Sequence, residues 1–263
     1  MRKEEERFVD STIMEGMVSF RAVVSAIRDG SSDRKIEKVL IDSERVKKIS
    51  KHLSYIKAMS SLLSFEIEYT DKDVIDSVST GQSHGGIITV CTERSIPELT
   101  EEHLCGKKGF FVLLSGIEDP YNFGYALRSL YAAGVDGIIL DKRNWLSAAG
   151  VVCRASAGAS ELIPSYVSES DENTVNIFKK AGYRIVSAQL ENSSPVWESD
   201  LSRPLLLAVG GEKRGLTKPI VEASDEIVRI DYGRDFPEAL SAASASAILA
   251  FEVLRKNSLK ITK

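Results

Sequence analysis

Three loops of this 263-residue chain concentrate side chains that could do chemistry. In residues 115–134, SGIEDPYNFGYALRSLYAAG, Asp119-Pro120 and Asn122 lead into a helix-like stretch, and Arg128 follows Asn122 by six residues. A carboxamide and a permanently charged guanidinium nearly two turns apart could hold one substrate between them. A capping asparagine and a surface arginine would account for the same residues without a ligand. In residues 209–216, VGGEKRGL, three glycines follow an apolar run, leaving main-chain amides free to approach a ligand. This is not a P-loop, because Leu216-Thr217 stands where Lys then Ser or Thr would be needed. Nor is it a dinucleotide fingerprint, since GGEKRG comes late and lacks the G-x-G-x-x-G spacing. In residues 228–252 alanines and serines crowd a final helix, which suits very close packing against another backbone.

Other chemistries lack their residues. Cys91, Cys105 and Cys153 form no C-x-x-C pair, and His52, His84 and His103 are scattered, so neither a disulfide framework nor a metal site is expected. The composition, 43% hydrophobic and 27% charged, is that of a soluble globular protein, and no apolar run approaches the roughly 18 residues of a membrane span. The opening MRKEEERFVD alternates charge and resembles neither a secretory signal nor a transit peptide, so the protein is expected in the cytoplasm. The net charge of −4 attracts no polyanion globally. Residues 17–64, however, hold ten Lys and Arg against five Asp and Glu, the asymmetry expected of a polyanion-facing region or of a solvated helix surface.

The elements that must position these residues follow from periodicity. Val18, Ala22, Val23, Ala26 and Ile27 space as a helix ended by Asp29-Gly30, KVLID (38–42) reads as a buried strand, a second helix begins near Glu44, and SFEIEY (64–69) alternates as a strand does. Residues 71–78 form a third helix before the strand GGIITVC, completing a small α/β sandwich over residues 1–95. Residues 96–109, with Pro97 and Lys107-Lys108, read as a linker. From residue 110 to 263, strands at 110–115, 137–140, 163–167, 184–188, 205–209 and 226–230 alternate with helices, the last at about 240–256. That rhythm implies a parallel sheet covered on both faces, with ligands at the carboxyl ends of its strands.

Residues 110–263 resemble the SpoU-type (TrmH-like) branch of the SPOUT RNA ribose 2′-O-methyltransferases. Asn122-Phe-Gly124 with Arg128 is similar to the family's first motif, and ASAGASELIP (155–164) to its Ser-Ala-Gly-Ala segment. Gly210, Glu212, Gly215 and Leu216 match its Gly-x-Glu-Gly-x-Gly-Leu motif with Lys213 replacing one glycine. Ile230, Gly233, Leu240 and Ser241 fall on the third motif, where Asp231-Tyr232 replaces Pro-Met, one residue is inserted before Leu240, and Ser241 and Ala243 replace Asn and Ser. The amino-terminal part looks like the L30e-like RNA-binding domain many members carry, with GQSHGG (81–86) at its last junction.

The resemblance implies a deep trefoil knot, with the chain after Leu205 threading an earlier loop, and a homodimer packed through the last helix. It implies S-adenosylmethionine bound by Ala188, Val209, Gly210, Gly211, Gly215, Ile230 and Leu240. Arg128 would clamp phosphate and the developing alkoxide, Asn122 would orient the ribose, Glu212 would brace the glycine loop or Arg128, and Ser241 would complete the catalytic group. Arg45, Lys47, Lys48 and Lys51 would contact the RNA, rRNA rather than tRNA. No metal and no membrane partner is expected. The altered third motif leaves a catalytically weak or inactive RNA-binding protein on the same fold as the alternative. A nicotinamide dehydrogenase would require the glycine loop to be misread.

Overall fold

The computed structural model describes residues 12–81, 84–106, 108–141 and 148–258. The charged start, Gln82 and Ser83 of the GQSHGG stretch, and Lys107 lie outside them. The chain divides into two compact units: Met1–Ser95 with Asn144–Leu162, and Ile96–Arg143 with Ile163–Lys263.

In chain order the first unit begins with β1 (Ile13–Glu15), α1 (Gly16–Arg28), β2 (Ile36–Asp42), α2 (Ser50–Leu63), β3 (Glu66–Thr70), α3 (Lys72–Val78) and β4 (Ile87–Cys91). Its sheet runs β1-β4-β2-β3, antiparallel except for the β2–β3 pair. Period-two alternation sorts the strand residues between two cores. Val39, Ile41 and Ile87 face Phe20, Val23 and Val24 of α1 and Leu53 and Ile56 of α2, while Leu40 and Ile88 pack with Ile75 of α3. Several details depart from the sequence expectation: β2 begins at Ile36 and not at Lys38, and α2 begins at Ser50 and not near Glu44. Ser64 takes φ 58° as the left-handed end of α2, so β3 starts two residues later than the alternation suggests. β1, three residues long, lies below what periodicity can detect.

The second unit opens with residues 96–109, which are not a free linker. Leu99 and Leu104 are buried in its core, and the Leu99 N–H and carbonyl of Pro97 pair with Val167. The mixed charge of that stretch hid its two apolar anchors. Then come β5 (Phe110–Ser115), α4 (Pro120–Ala132) and β6 (Gly137–Leu140). The chain next returns to the first unit for α5 (Ala149–Ala155) and α6 (Ala159–Leu162). This corrects the expected assignment of all of 110–263 to one domain. The reason is electrostatic as well as apolar: Glu161 forms a buried ion pair with Arg34 at 2.9 Å, Arg154 pairs with Glu15 at 2.6 Å, and Cys153 enters the α1 core. A buried carboxylate is tolerated only where such a partner waits.

β7 (Ser165–Val167), α7 (Asp171–Lys180), β8 (Arg184–Ala188), β9 (Ser194–Pro195), β10 (Leu205–Gly210), α8 (Lys218–Ala223), β11 (Glu226–Arg229) and α9 (Ala242–Ser258) complete the chain. The sheet is parallel throughout, in the order β7-β6-β5-β10-β8-β11-β9. β10 is inserted between two strands that both precede it. Its Leu205, Leu206, Leu207 and Ala208 are wholly buried, as the uninterrupted apolar run requires of a central parallel strand. α9 packs along α4, and the buried residues of α9 are Ala242, Ala243, Ser246, Leu249, Ala250 and Val253, four of them small.

Candidate active site

The strand register aligns Leu114, Val209, Ala188 and Val228 in one row at the carboxyl edge of the sheet, with the Ser115–Gly210 pair one residue further on. Directly beyond this row lies a cavity of about 440 Å³. Ala188, Val209, Gly210, Gly211, Gly215, Ile230 and Leu240, seven residues from four stretches of sequence, all line it. Arg214 and Tyr232 line it as well.

The glycine loop is folded tightly against the end of β5. The Gly211 N–H donates to the Ser115 carbonyl at 2.6 Å, and the Gly215 N–H donates to the Gly211 carbonyl at 2.9 Å. A Cβ on Gly210 would overlap the Gly215 carbonyl carbon, and one on Gly211 would overlap the Gly116 carbonyl. Close backbone approach, and not a left-handed backbone, therefore demands glycine at both positions. The Asp141 carboxylate holds the β5 end by accepting from Ser115 Oγ at 3.0 Å and from the Gly116 N–H at 3.2 Å. Glu212 Oε1 accepts from the Ala242 N–H at 3.3 Å, so the carboxylate sits at the amino terminus of α9, where the helix dipole favours it.

A smaller cleft of about 120 Å³ adjoins the first and shares Gly211, Glu212 and Ala242 with it. Asn122 and Lys213 also line it. Asn122 is not the helix cap: Asp119 caps α4, accepting from the N–H groups of Tyr121 and Asn122, and Pro120 takes the first helical position where its missing donor costs nothing. Lys213, the residue in place of a motif glycine, pairs with Glu118 at 2.9 Å and ties the glycine loop to the loop before α4.

Two expected site residues stand apart. Arg128 is exposed on α4 and lines neither cavity. Glu212 accordingly braces α9, not Arg128. Ser241 lines neither cavity; its Oγ accepts from the Ser244 N–H at 3.2 Å, the bond of a helix cap. In the first unit, Lys47 and Lys48 are exposed on the approach to α2 and Lys51 in its first turn, and Arg45 lies 3.4 Å from Asp42. Sequence reasoning passed over Arg214 and Tyr232, although Arg214 stands in the glycine loop and Tyr232 at a departure from the third motif.

The thiols supply no nucleophile to this site. Burial pushes Cys91 and Cys153 up to about 12, and Cys105 lies outside both cavities. Among the described residues no group of three or more His, Cys, Asp or Glu could hold a metal ion, and no helix is long and apolar enough to cross a membrane.

Comparison with known proteins places these features in a family context. Residues 109–251 match the SpoU rRNA Methylase family. The chain is 29% identical over 236 residues to the 23S rRNA (guanosine-2′-O-)-methyltransferase RlmB of Shewanella oneidensis, covering 89% of this chain and 94% of that protein. It is 29% identical over 244 residues to a putative TrmH family tRNA/rRNA methyltransferase of Staphylococcus saprophyticus, covering 91% and 95%. In fold it is similar to the SpoU methyltransferase AviRb from Streptomyces viridochromogenes in complex with the cofactor AdoMet. That match has a TM-score of 0.73 at 20% identity and covers 94% of this chain and 90% of that one.

Proposed function

Because the chain belongs to the SpoU rRNA Methylase family, we propose that it is an S-adenosylmethionine-dependent methyltransferase acting on a ribose 2′-hydroxyl of RNA, rRNA rather than tRNA. One observation carries the reading: residues from the ends of β8, β10 and β11, the glycine loop and the segment before α9 meet in a single cavity. Its volume falls within the range of cofactor sites, roughly 300–1,000 Å³. The residues present fit the cofactor. Gly210 and Gly211 offer a wall of main chain, while Val228, Ile230, Leu240 and Leu249 offer apolar surface for an aromatic ring.

The cofactor, when bound, supplies an electrophilic sulfonium methyl. The chain's contribution is placement of the ribose hydroxyl against it and stabilisation of the charge that develops on oxygen. Asn122 and Glu212 share the smaller cleft, and there the Asn122 carboxamide orients the ribose. Arg128 serves as an anion clamp, since its planar guanidinium offers five N–H donors and no acceptor. Its exposed position means that bound RNA or a second copy of the chain must bring it to the reacting atoms.

The second copy has a suitable face. The outer surfaces of α4 and α9 expose Tyr121, Tyr125, Ile248 and Phe251, a concentration of apolar area that favours association as a homodimer. The same reading carries the family's trefoil knot, an L30e-like RNA-binding role for the first unit, and a place in the cytoplasm, where ribosomal RNA is found.

The test has two parts. Titration calorimetry on folded, ligand-stripped protein should show S-adenosylmethionine binding. Methyl transfer to ribosomal RNA from a strain lacking the gene should yield 2′-O-methylnucleosides by mass spectrometry of nuclease digests. A folded sample that binds no S-adenosylmethionine rejects the proposal.

A further inference from the structure

The segment between β11 and α9 departs from the resembled motif, by Asp231-Tyr232 and by one inserted residue, and it carries an aromatic pair. Tyr232 lines the large cavity, and its hydroxyl accepts from the Leu240 N–H at 3.1 Å, closing the segment on itself. Its ring centroid lies 6.2 Å from that of Phe236 at 49°. Phe236 is 54% exposed. An apolar ring held by a neighbour but left in water at the side of a ligand cavity buries little on folding, so its stabilising partner is to be sought among ligands.

The charges on either side indicate which ligand. Asp231, Asp235 and Glu238 outnumber Arg234 in this segment, which makes it a poor surface for phosphate. The glycine loop, another stretch that lines the cavity, carries Lys213 and Arg214, with Lys218 following in sequence. Lys213 is engaged by Glu118, whereas Arg214 is exposed and lines the cavity. A nucleotide laid across such a mouth directs its phosphate to the arginine and its base to the rings. Aromatic faces take any unstacked base, because every base has a π-face.

Resting on the methyltransferase reading, we infer that Phe236, backed by Tyr232, is a stacking platform for a nucleobase of the RNA substrate, with Arg214 holding an adjoining phosphate. Phe236 is thus a positioning residue for the reaction.

The test measures RNA affinity and cofactor affinity separately on full-length protein, with ribosomal RNA from a strain lacking the gene as the probe. Phe236→Ala should weaken RNA binding without cofactor about tenfold, within the loss that base–aromatic stacking shows on truncation to alanine. Phe236→Tyr should restore affinity to within about twofold, because the ring and not its bulk alone is required. Arg214→Ala should lower the slope of log affinity against log salt by about one, as loss of one phosphate contact does. S-adenosylmethionine affinity of Phe236→Ala in the absence of RNA should match wild type. The exposed position lets the variant fold, which an unchanged melting temperature verifies. Wild-type RNA affinity in Phe236→Ala overturns the platform, and so does a tenfold loss of cofactor affinity, which would assign the ring to the cofactor's adenine. A wild-type protein that binds no S-adenosylmethionine rejects the methyltransferase reading alone, since the RNA measurement on Phe236→Ala still decides the platform.

Discussion

Individual side chains of the catalytic unit divide by what surrounds them. Gly211 has no space for a Cβ, because the Gly116 carbonyl and the Ile117 N–H, 3.0 Å away, are main chain and cannot rotate aside. Gly211→Ala should therefore displace the glycine loop and weaken S-adenosylmethionine binding at least tenfold by calorimetry, while a protein that retains wild-type affinity would show that the loop does not form the cofactor wall. Arg128 is the opposite case, an exposed side chain on α4. Its replacement by Ala should leave melting temperature and cofactor affinity unchanged and reduce methyl transfer about 10²- to 10³-fold, the usual effect of removing one donor to a developing oxyanion. Turnover equal to wild type would remove it from the reaction.

At the scale of elements, the stability of the first unit depends on how α6 is held. The Arg34–Glu161 pair is 1% and 3% exposed, and Glu161 also faces Arg94, whose guanidinium is destabilised by burial and supported by that carboxylate. Glu161→Ala would leave buried cations uncompensated, at a cost of about 3–5 kcal/mol. In chemical denaturation the first unit should then unfold at distinctly lower denaturant than wild type. The double variant Arg34→Met with Glu161→Leu, which removes charge from both sides, should recover part of that loss; a double variant as unstable as the single would refute the electrostatic account. The turn into α2 makes a separate prediction. Lys47 and Lys48 are exposed there. Reversing both to Glu should weaken RNA binding and flatten its salt slope by about one to two units, with S-adenosylmethionine binding unaffected. An unchanged slope would return these lysines to the solvated surface.

For the whole molecule, the exposed rings along α4 and α9 bear on assembly. Phe251 is 47% exposed and Tyr125 51%, on helices that pack on each other. If they meet a second copy, Phe251→Glu should convert a dimer to a monomer by light scattering at micromolar concentration, and methyl transfer should fall with it if Arg128 acts through the assembly. A wild-type protein that is already monomeric at that concentration would discard the homodimer.

The sequence by itself determined the longer strands of the second unit, because buried parallel strands are unbroken apolar runs. β5, β6 and β8 occupy the residues periodicity predicts, and β10 extends one residue further. The glycine loop was legible for a related reason, since it breaks that periodicity at a strand end, where ligands bind in such sheets. Ile230 and Leu240 were marked only by the resemblance to the SpoU-type third motif. Short elements and distant partnerships were not legible. β1 and β9 are too brief to show a period, and the two anchors of residues 96–109 are diluted by charge. The assignment of α5 and α6 to the first unit depends on ion pairs between residues 127 and 139 positions apart, which no local pattern encodes. Only the tertiary structure decided that Ser241 serves as a cap, that Glu212 supports α9, and that Arg128 stands outside both clefts. Motif spacing specifies where a residue falls along the chain, whereas its role depends on which backbone groups the fold brings within hydrogen-bonding distance.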